Sequence, residues 1–156
     1  MKKFFFDCGT RDATASLGFL ALRVMVGLMM LIGHGIPKIQ NFQTILKSGF
    51  YQPDLFPLSL MSPHVSLMMA CGAEAVASIL LVLGLMTRPA AFVFGFAMVV
   101  AAFGALGASP WFSTGTEPSK EMALLYLIPV IAIILAGAGG YSLDAVIYKE
   151  SKRRRW

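Results

Sequence analysis

The sequence predicts an all-α integral membrane protein, a four-helix bundle with its N- and C-termini in the cytoplasm. Three observations carry that prediction. Of 156 residues, 57% are hydrophobic and only 13% charged, where a soluble domain has about 25% charged residues, and the mean hydropathy is +0.73. The apolar residues fall in four runs, each with roughly the 17–25 residues that cross a bilayer core as a helix. The basic residues gather on one side of the topology those runs imply. None of the runs alternates with a period of two, so strands are not expected.

Residues 1–15 form a cytoplasmic N-terminal segment. Its charge is mixed, Arg23 interrupts the apolar run that follows, and no clear small-x-small site precedes Pro37. A retained first helix, about Ser16 to Ile36, is therefore expected rather than a cleaved signal peptide. In the segment that follows, IQNFQTILKSGF places Ile39, Phe42, Ile45 and Leu46 at helical spacing. It reads equally as a short interfacial helix or as a loop over the bundle mouth. The second helix is expected at about His64 to Met86 and the third at about Ala90 to Ala108, with Pro89 in its first turn and Thr87 as its cap. Trp111 and Phe112 resemble an external aromatic belt. The fourth helix is expected at about Met122 to Ala138. Pro129 lies inside it and removes one backbone donor.

After the fourth helix, AGAGGYSLD stops one helix and starts another. Gly139 or Gly140 takes the left-handed conformation, Ser142 caps, and Asp144 sits in the first turn. Asp144 is expected to pair with Arg88 at the cytoplasmic surface. The bundle domain spans 16–147, and residues 148–156 form a basic tail. Lys149, Lys152, Arg153, Arg154 and Arg155 lie in that tail, so the formal net charge of +5 meets anionic headgroups rather than nucleic acid. Lys2, Lys3, Arg11 and Arg88 fall on the same side, and Lys38, Lys47 and Lys120 on the other. Both termini are thus expected inside a plasma (inner) membrane.

The chemistry centres on Glu74, a carboxylate inside an apolar helix, where a lone charge costs several kcal/mol. On the first helix, Arg23, Gly27, Met30, His34 and Lys38 share a face. A rise of about 1.5 Å per residue places Arg23 roughly 10 Å deep from the inner surface, Glu74 roughly 20 Å and His34 roughly 27 Å. Glu74 therefore lies between Arg23 and His34. Its expected partner is Arg23, in a line of alternating charge that runs Arg23, Glu74, His34, Glu121, Lys38. Two readings stay open. Buried pairs of this kind fix helix register, and intramembrane ionisable groups bind ligand or handle protons.

Other chemistry is thinly represented. Cys8 and Cys71 are not a CxxC pair and are expected on different elements, which excludes a disulfide between them and a dithiol mechanism. His34 and His64 both fall near the outer surface, unsuited as paired haem ligands. No zinc spacing, phosphate loop or GxSxG occurs.

The blocks LRVMVGLMMLIGHGIPKI, GAEAVASILLVLGLMTRPAA, KEMALLYL and GAGGYSLDAVI, taken together and in this order, resemble the DoxX family of small four-helix membrane proteins. The resemblance marks Arg23, Gly35 and Lys38, then Glu74, Gly84 and Arg88, then Glu121, and finally Tyr141, Ser142 and Asp144. It implies a membrane subunit of a redox or quinone-linked system, with quinone as its cofactor or ligand and an oxidoreductase subunit as partner. Any enzymatic role would then belong to the complex rather than to this chain alone. The alternative is a non-enzymatic scaffold or a small-solute or proton pathway, in the same bilayer and with homo-oligomers as one possible assembly.

Overall fold

A computed structural model describes residues 9, 12–52, 58–113, 115 and 118–153. The expectations placed on Lys2, Lys3, Cys8, Arg11, Arg154 and Arg155 lie outside the described residues. The described chain is helical, with no strand among those residues. Helix α1 is Ala13–Gln40, α3 is Pro63–Leu83 and α4 is Thr87–Ala105. These three are long and apolar enough to cross a membrane. Helix α5, Glu121–Ala136, is apolar but shorter, 16 residues, or about 24 Å at the usual rise. It runs through Pro129 without a break. Helix α2, Phe42–Ser48, and helix α6, Leu143–Arg153, complete the set.

Each start has a local cause. Asp12 accepts the Ala15 N–H at 2.7 Å and caps α1, three residues earlier than the apolar run suggests. Ser62 caps α3 through the Val65 N–H, and Pro63 takes the first position, where its missing donor costs nothing. The IQNFQTILKSGF segment does form a helix, but α1 absorbs Ile39 and Gln40, and the break at Asn41 leaves α2 as a separate piece. The Phe42 ring meets His64 edge-on at 5.3 Å, so α2 rests on the start of α3.

Helices α1, α3, α4 and α5 touch in a closed ring, each packed on the next and α5 back on α1. The shared core includes Met30, Leu81, Phe94, Met98, Val130 and Ile133. The outward faces are equally apolar. Met25, Ile32, Phe92, Ile128 and Leu135 are each more than 60% exposed, far more apolar surface than water tolerates around a soluble monomer. These faces are built for hydrocarbon, and the protein is a membrane protein.

Three stretches are wound as π-helix: Leu31–Gly35 in α1, Gly72–Val76 in α3 and Ala101–Ala105 at the end of α4. Such bulges rotate the side chains that follow and recur at functional sites. Each contains a glycine, but so do the ordinary α-helical stretches at Gly18, Gly27 and Gly95, so glycine alone does not mark them.

Candidate functional site

Two buried polar clusters lie at different heights in the bundle. The lower one is at the end where α1, α4 and α6 begin and α3 stops. Arg23 is 1% exposed. Its Nη1 donates to the Leu81 and Val82 carbonyls at 3.1 and 3.2 Å, the last carbonyls of α3, and its Nη2 donates to the Tyr141 carbonyl. A cation on the carbonyls of a helix's last turn suits the helix dipole and adds to the Gly84 N–H that the Leu81 carbonyl accepts at 3.1 Å. Gly84 makes the arrangement possible. It is left-handed, φ +66°, and a Cβ there would overlap the guanidinium.

Asp144, also 1% exposed, completes this lower knot. Its Oδ1 accepts the Met86 N–H and its Oδ2 the Thr87 N–H, both at 2.8 Å, and its own N–H donates to the Gly84 carbonyl at 2.9 Å. Asp144 is close enough to Arg23 for their charges to attract. The expected cap of α4 is thereby corrected. Thr87 is the first helical residue and its hydroxyl caps nothing; the cap comes from Asp144, fifty-seven positions along the chain. That cap also steadies Met86, a non-glycine residue at φ +47°.

The expected start of α6 holds. Gly139 is left-handed at φ +76°. Ser142 accepts the Ala145 N–H at 3.1 Å and donates to the Gly139 carbonyl at 2.8 Å. Tyr141 contributes its carbonyl, while its ring is exposed. Arg88 is half-buried in the first turn of α4, at the same end as Asp144.

The upper cluster corrects the main pairing expectation. Glu74 is 8% exposed, but its partner is Lys38, not Arg23: Lys38 Nζ contacts Glu74 Oε1 as both ion pair and hydrogen bond. Register explains most of the difference: with Gly35 beside Ala75, Glu74 stands roughly 18 Å along the axis from Arg23 and close to Lys38, and side-chain direction does the rest. Each Cα–Cβ bond leans toward the N-terminus of its own helix, and α1 and α3 are antiparallel, with Gly27 beside Ser78 and Gly35 beside Ala75. Arg23 and Glu74 therefore lean apart, while Lys38 and Glu74 lean together. The close approach is built by Gly35, whose added Cβ would stand 3.1 Å from the Ala75 Cα. Small residues at such a crossing let two helix backbones come this near.

The second carboxylate oxygen, Glu74 Oε2, is buried with no hydrogen-bond partner among the described residues. Glu74 and Lys38 line a cavity of about 220 Å³. Its walls are small residues of α3 and α4, including Ala70, Ala73, Ala97 and Ala101, with Phe50 and Tyr51 above. Ser66 also lines it, and the Ser66 Oγ is, within the lining, a second buried polar atom without a hydrogen-bond partner among the described residues. Unmatched polar atoms are costly in a low-dielectric interior and are commonly met by ligand or water. The sequence reading missed Ser66 and Tyr51, because nothing in their local pattern separates them from an ordinary helix and loop.

The proposed line of alternating charge is not continuous. His34 is exposed and meets Tyr126 edge-on at 6.0 Å on the α5 side, and the Glu121 carboxylate accepts the Ser113 N–H at 2.8 Å. Neither lines the cavity. Cys71 is a buried free thiol. No group of three metal-ligating side chains occurs among the described residues.

Comparison with known proteins places these residues in a family. The profile of the DoxX family matches residues 18–107, which carry Arg23, Lys38, Glu74 and Gly84. An uncharacterised protein of Haemophilus influenzae is 33% identical over 135 residues, covering 85% of this chain and 92% of that protein. No solved structure matches the chain.

Proposed function

Because this chain belongs to the DoxX family, we propose that it is a multi-pass protein of the plasma membrane whose cavity binds a quinone or quinol head as the membrane subunit of a redox system. In this reading α1, α3, α4 and α5 all span the bilayer as a four-helix bundle, and both termini face the cytoplasm. The Arg88 connection and the basic tail then share the cytoplasmic side.

One observation carries the ligand reading. Glu74 pairs one oxygen with Lys38 and leaves the other buried and open beside an apolar cavity. A quinone is a flat apolar ring with acceptor carbonyls at its edges; its reduced form presents donor hydroxyls at the same places. Lys38 Nζ and Ser66 Oγ supply donors for the oxidised form. Glu74 Oε2 supplies an acceptor for the reduced form. The ion pair therefore suits both ends of a redox cycle, and the electron chemistry belongs to the quinone and to a partner subunit.

Titration of the purified chain in lipid nanodiscs with a decyl-tailed benzoquinone, followed by calorimetry, tests this reading. Saturable one-site binding is expected, weakened about tenfold or more in Lys38→Met, a loss of about 1.4 kcal/mol. Absence of saturable binding by both oxidised and reduced forms overturns it. Reporter fusions after Arg88 and after Trp156 test the orientation, and a non-cytoplasmic signal at either site overturns that part.

A further inference from the structure

The cavity has two boundaries of different character. Above, Phe50 and Tyr51 line it, and the Tyr51 ring packs against α4 at Gly104, where an added Cβ would stand 2.9 Å from the phenolic oxygen. A side chain at that position would require the Tyr51 ring to shift. To the side, the cavity wall between α3 and α4 is formed by Met69, Val93 and Phe96, and each of these is also 44–49% exposed on the outer face of the bundle. The same side chains therefore touch both the cavity and the surroundings. Behind them Ala70, Ala73, Ala97 and Ala101 line the cavity, short side chains that leave its volume open. Val93 and Phe96 lie six and nine residues into α4, about 9 and 14 Å along its axis, at the depth of hydrocarbon rather than of headgroups.

We propose that the cavity is loaded sideways from the bilayer between α3 and α4, and that its ligand is a lipid-dissolved molecule whose apolar tail leaves across Met69 and Phe96 while its polar head reaches Lys38 and Glu74. This rests on the reading of the cavity as a ligand site, and it excludes a water-soluble solute entering from above past Tyr51. An apolar tail in this seam stays in contact with hydrocarbon, so binding need not move it into water.

The test uses thiol labelling and no quinone, so failure of the quinone reading leaves its result standing. Ala97→Cys places a thiol in the cavity wall of the full chain, with Cys8 and Cys71 changed to alanine, in phosphatidylcholine vesicles. One reagent is a dodecyl maleimide dissolved in the bilayer; the other is a sulfonated methanethiosulfonate confined to water. Ile128→Cys, on an exposed face of α5, and Ser113→Cys, in an exposed loop, give the reference rates for the two reagents, read by intact mass under conditions that form thiolate. The Ala97→Cys thiol is expected to react with the maleimide within about tenfold of its reference and with the sulfonate at least about tenfold slower than its reference. Phe96→Trp slows the first reaction, and Tyr51→Ala speeds the second. Free reaction with the sulfonate, or none with the maleimide, overturns the proposal. Detergent chromatography checks that each variant is folded, and Ala101→Cys replaces Ala97→Cys if that one is not.

Discussion

At the lower end of the bundle, Arg23 and Asp144 are buried and bond main-chain groups at the ends of α3 and α4, and the Arg23 Nε and Thr87 Oγ1, left without a hydrogen-bond partner among the described residues, do not line the cavity. At the upper end, Lys38 and Glu74 are bound to each other, and the carboxylate keeps one oxygen open beside a cavity. Both clusters hold charge inside an apolar protein, yet the chemistry differs. In the lower cluster the charges replace water at helix termini, which must be satisfied for the fold to close. In the upper cluster no helix end depends on the pair, so its unmatched capacity is left for something that comes and goes. A charge that serves the backbone reads as architecture, and a charge that serves only another side chain beside space reads as a site.

Asp144→Ala should break that comparison open with the largest effect. It removes the two hydrogen bonds that cap α4, at an expected cost of about 3–5 kcal/mol, from roughly 1.5–3 kcal/mol for each hydrogen bond to a charged group. Folded yield and thermal unfolding in detergent measure it. A near-normal midpoint would mean that the lower cluster is not architectural.

Gly84→Ala should follow, at about 1–3 kcal/mol, because it combines a strained left-handed alanine with a clash against Arg23. The same thermal measurement reads it, and shortening the side chain in Arg23→Ala/Gly84→Ala should recover nothing, since that variant also loses the Arg23 hydrogen bonds to the Leu81, Val82 and Tyr141 carbonyls.

Glu74→Gln separates the clusters. Quinone binding is expected to weaken about tenfold, or about 1.4 kcal/mol, with the unfolding midpoint moved much less than by Asp144→Ala, since Lys38 is 22% exposed and close to the end of α1 and its ammonium can reach the interface. A midpoint loss as large as that of Asp144→Ala, with binding per folded molecule unchanged, would make the upper pair a second staple.

His34→Gln should do the least. It gives up one edge-on ring contact on an exposed face, about 0.5 kcal/mol, and leaves binding unchanged because His34 does not line the cavity. Weakened binding in this variant would restore His34 to the site.

The sequence by itself determined the helical fold class, the approximate helices and some of the polar residues that matter, Arg23, Lys38, Glu74 and Asp144 among them. Hydropathy and helical period are local properties, and the runs around Arg23, Glu74 and Pro129 carry them in full. The α6 start was equally legible, because the glycine, serine and aspartate of AGAGGYSLD each have a backbone role set by their immediate neighbours. Only the tertiary structure decided which charges meet. Depth counted along each helix put Glu74 between Arg23 and His34, but the register of the antiparallel helices, with Gly35 beside Ala75, carried Glu74 away from Arg23 and brought Lys38 within reach. The cap of α4 by Asp144 and the cavity beside Ser66 and Tyr51 arise from chain segments far apart in sequence. Their geometry depends on the crossing and rotation of whole helices, which no local pattern encodes.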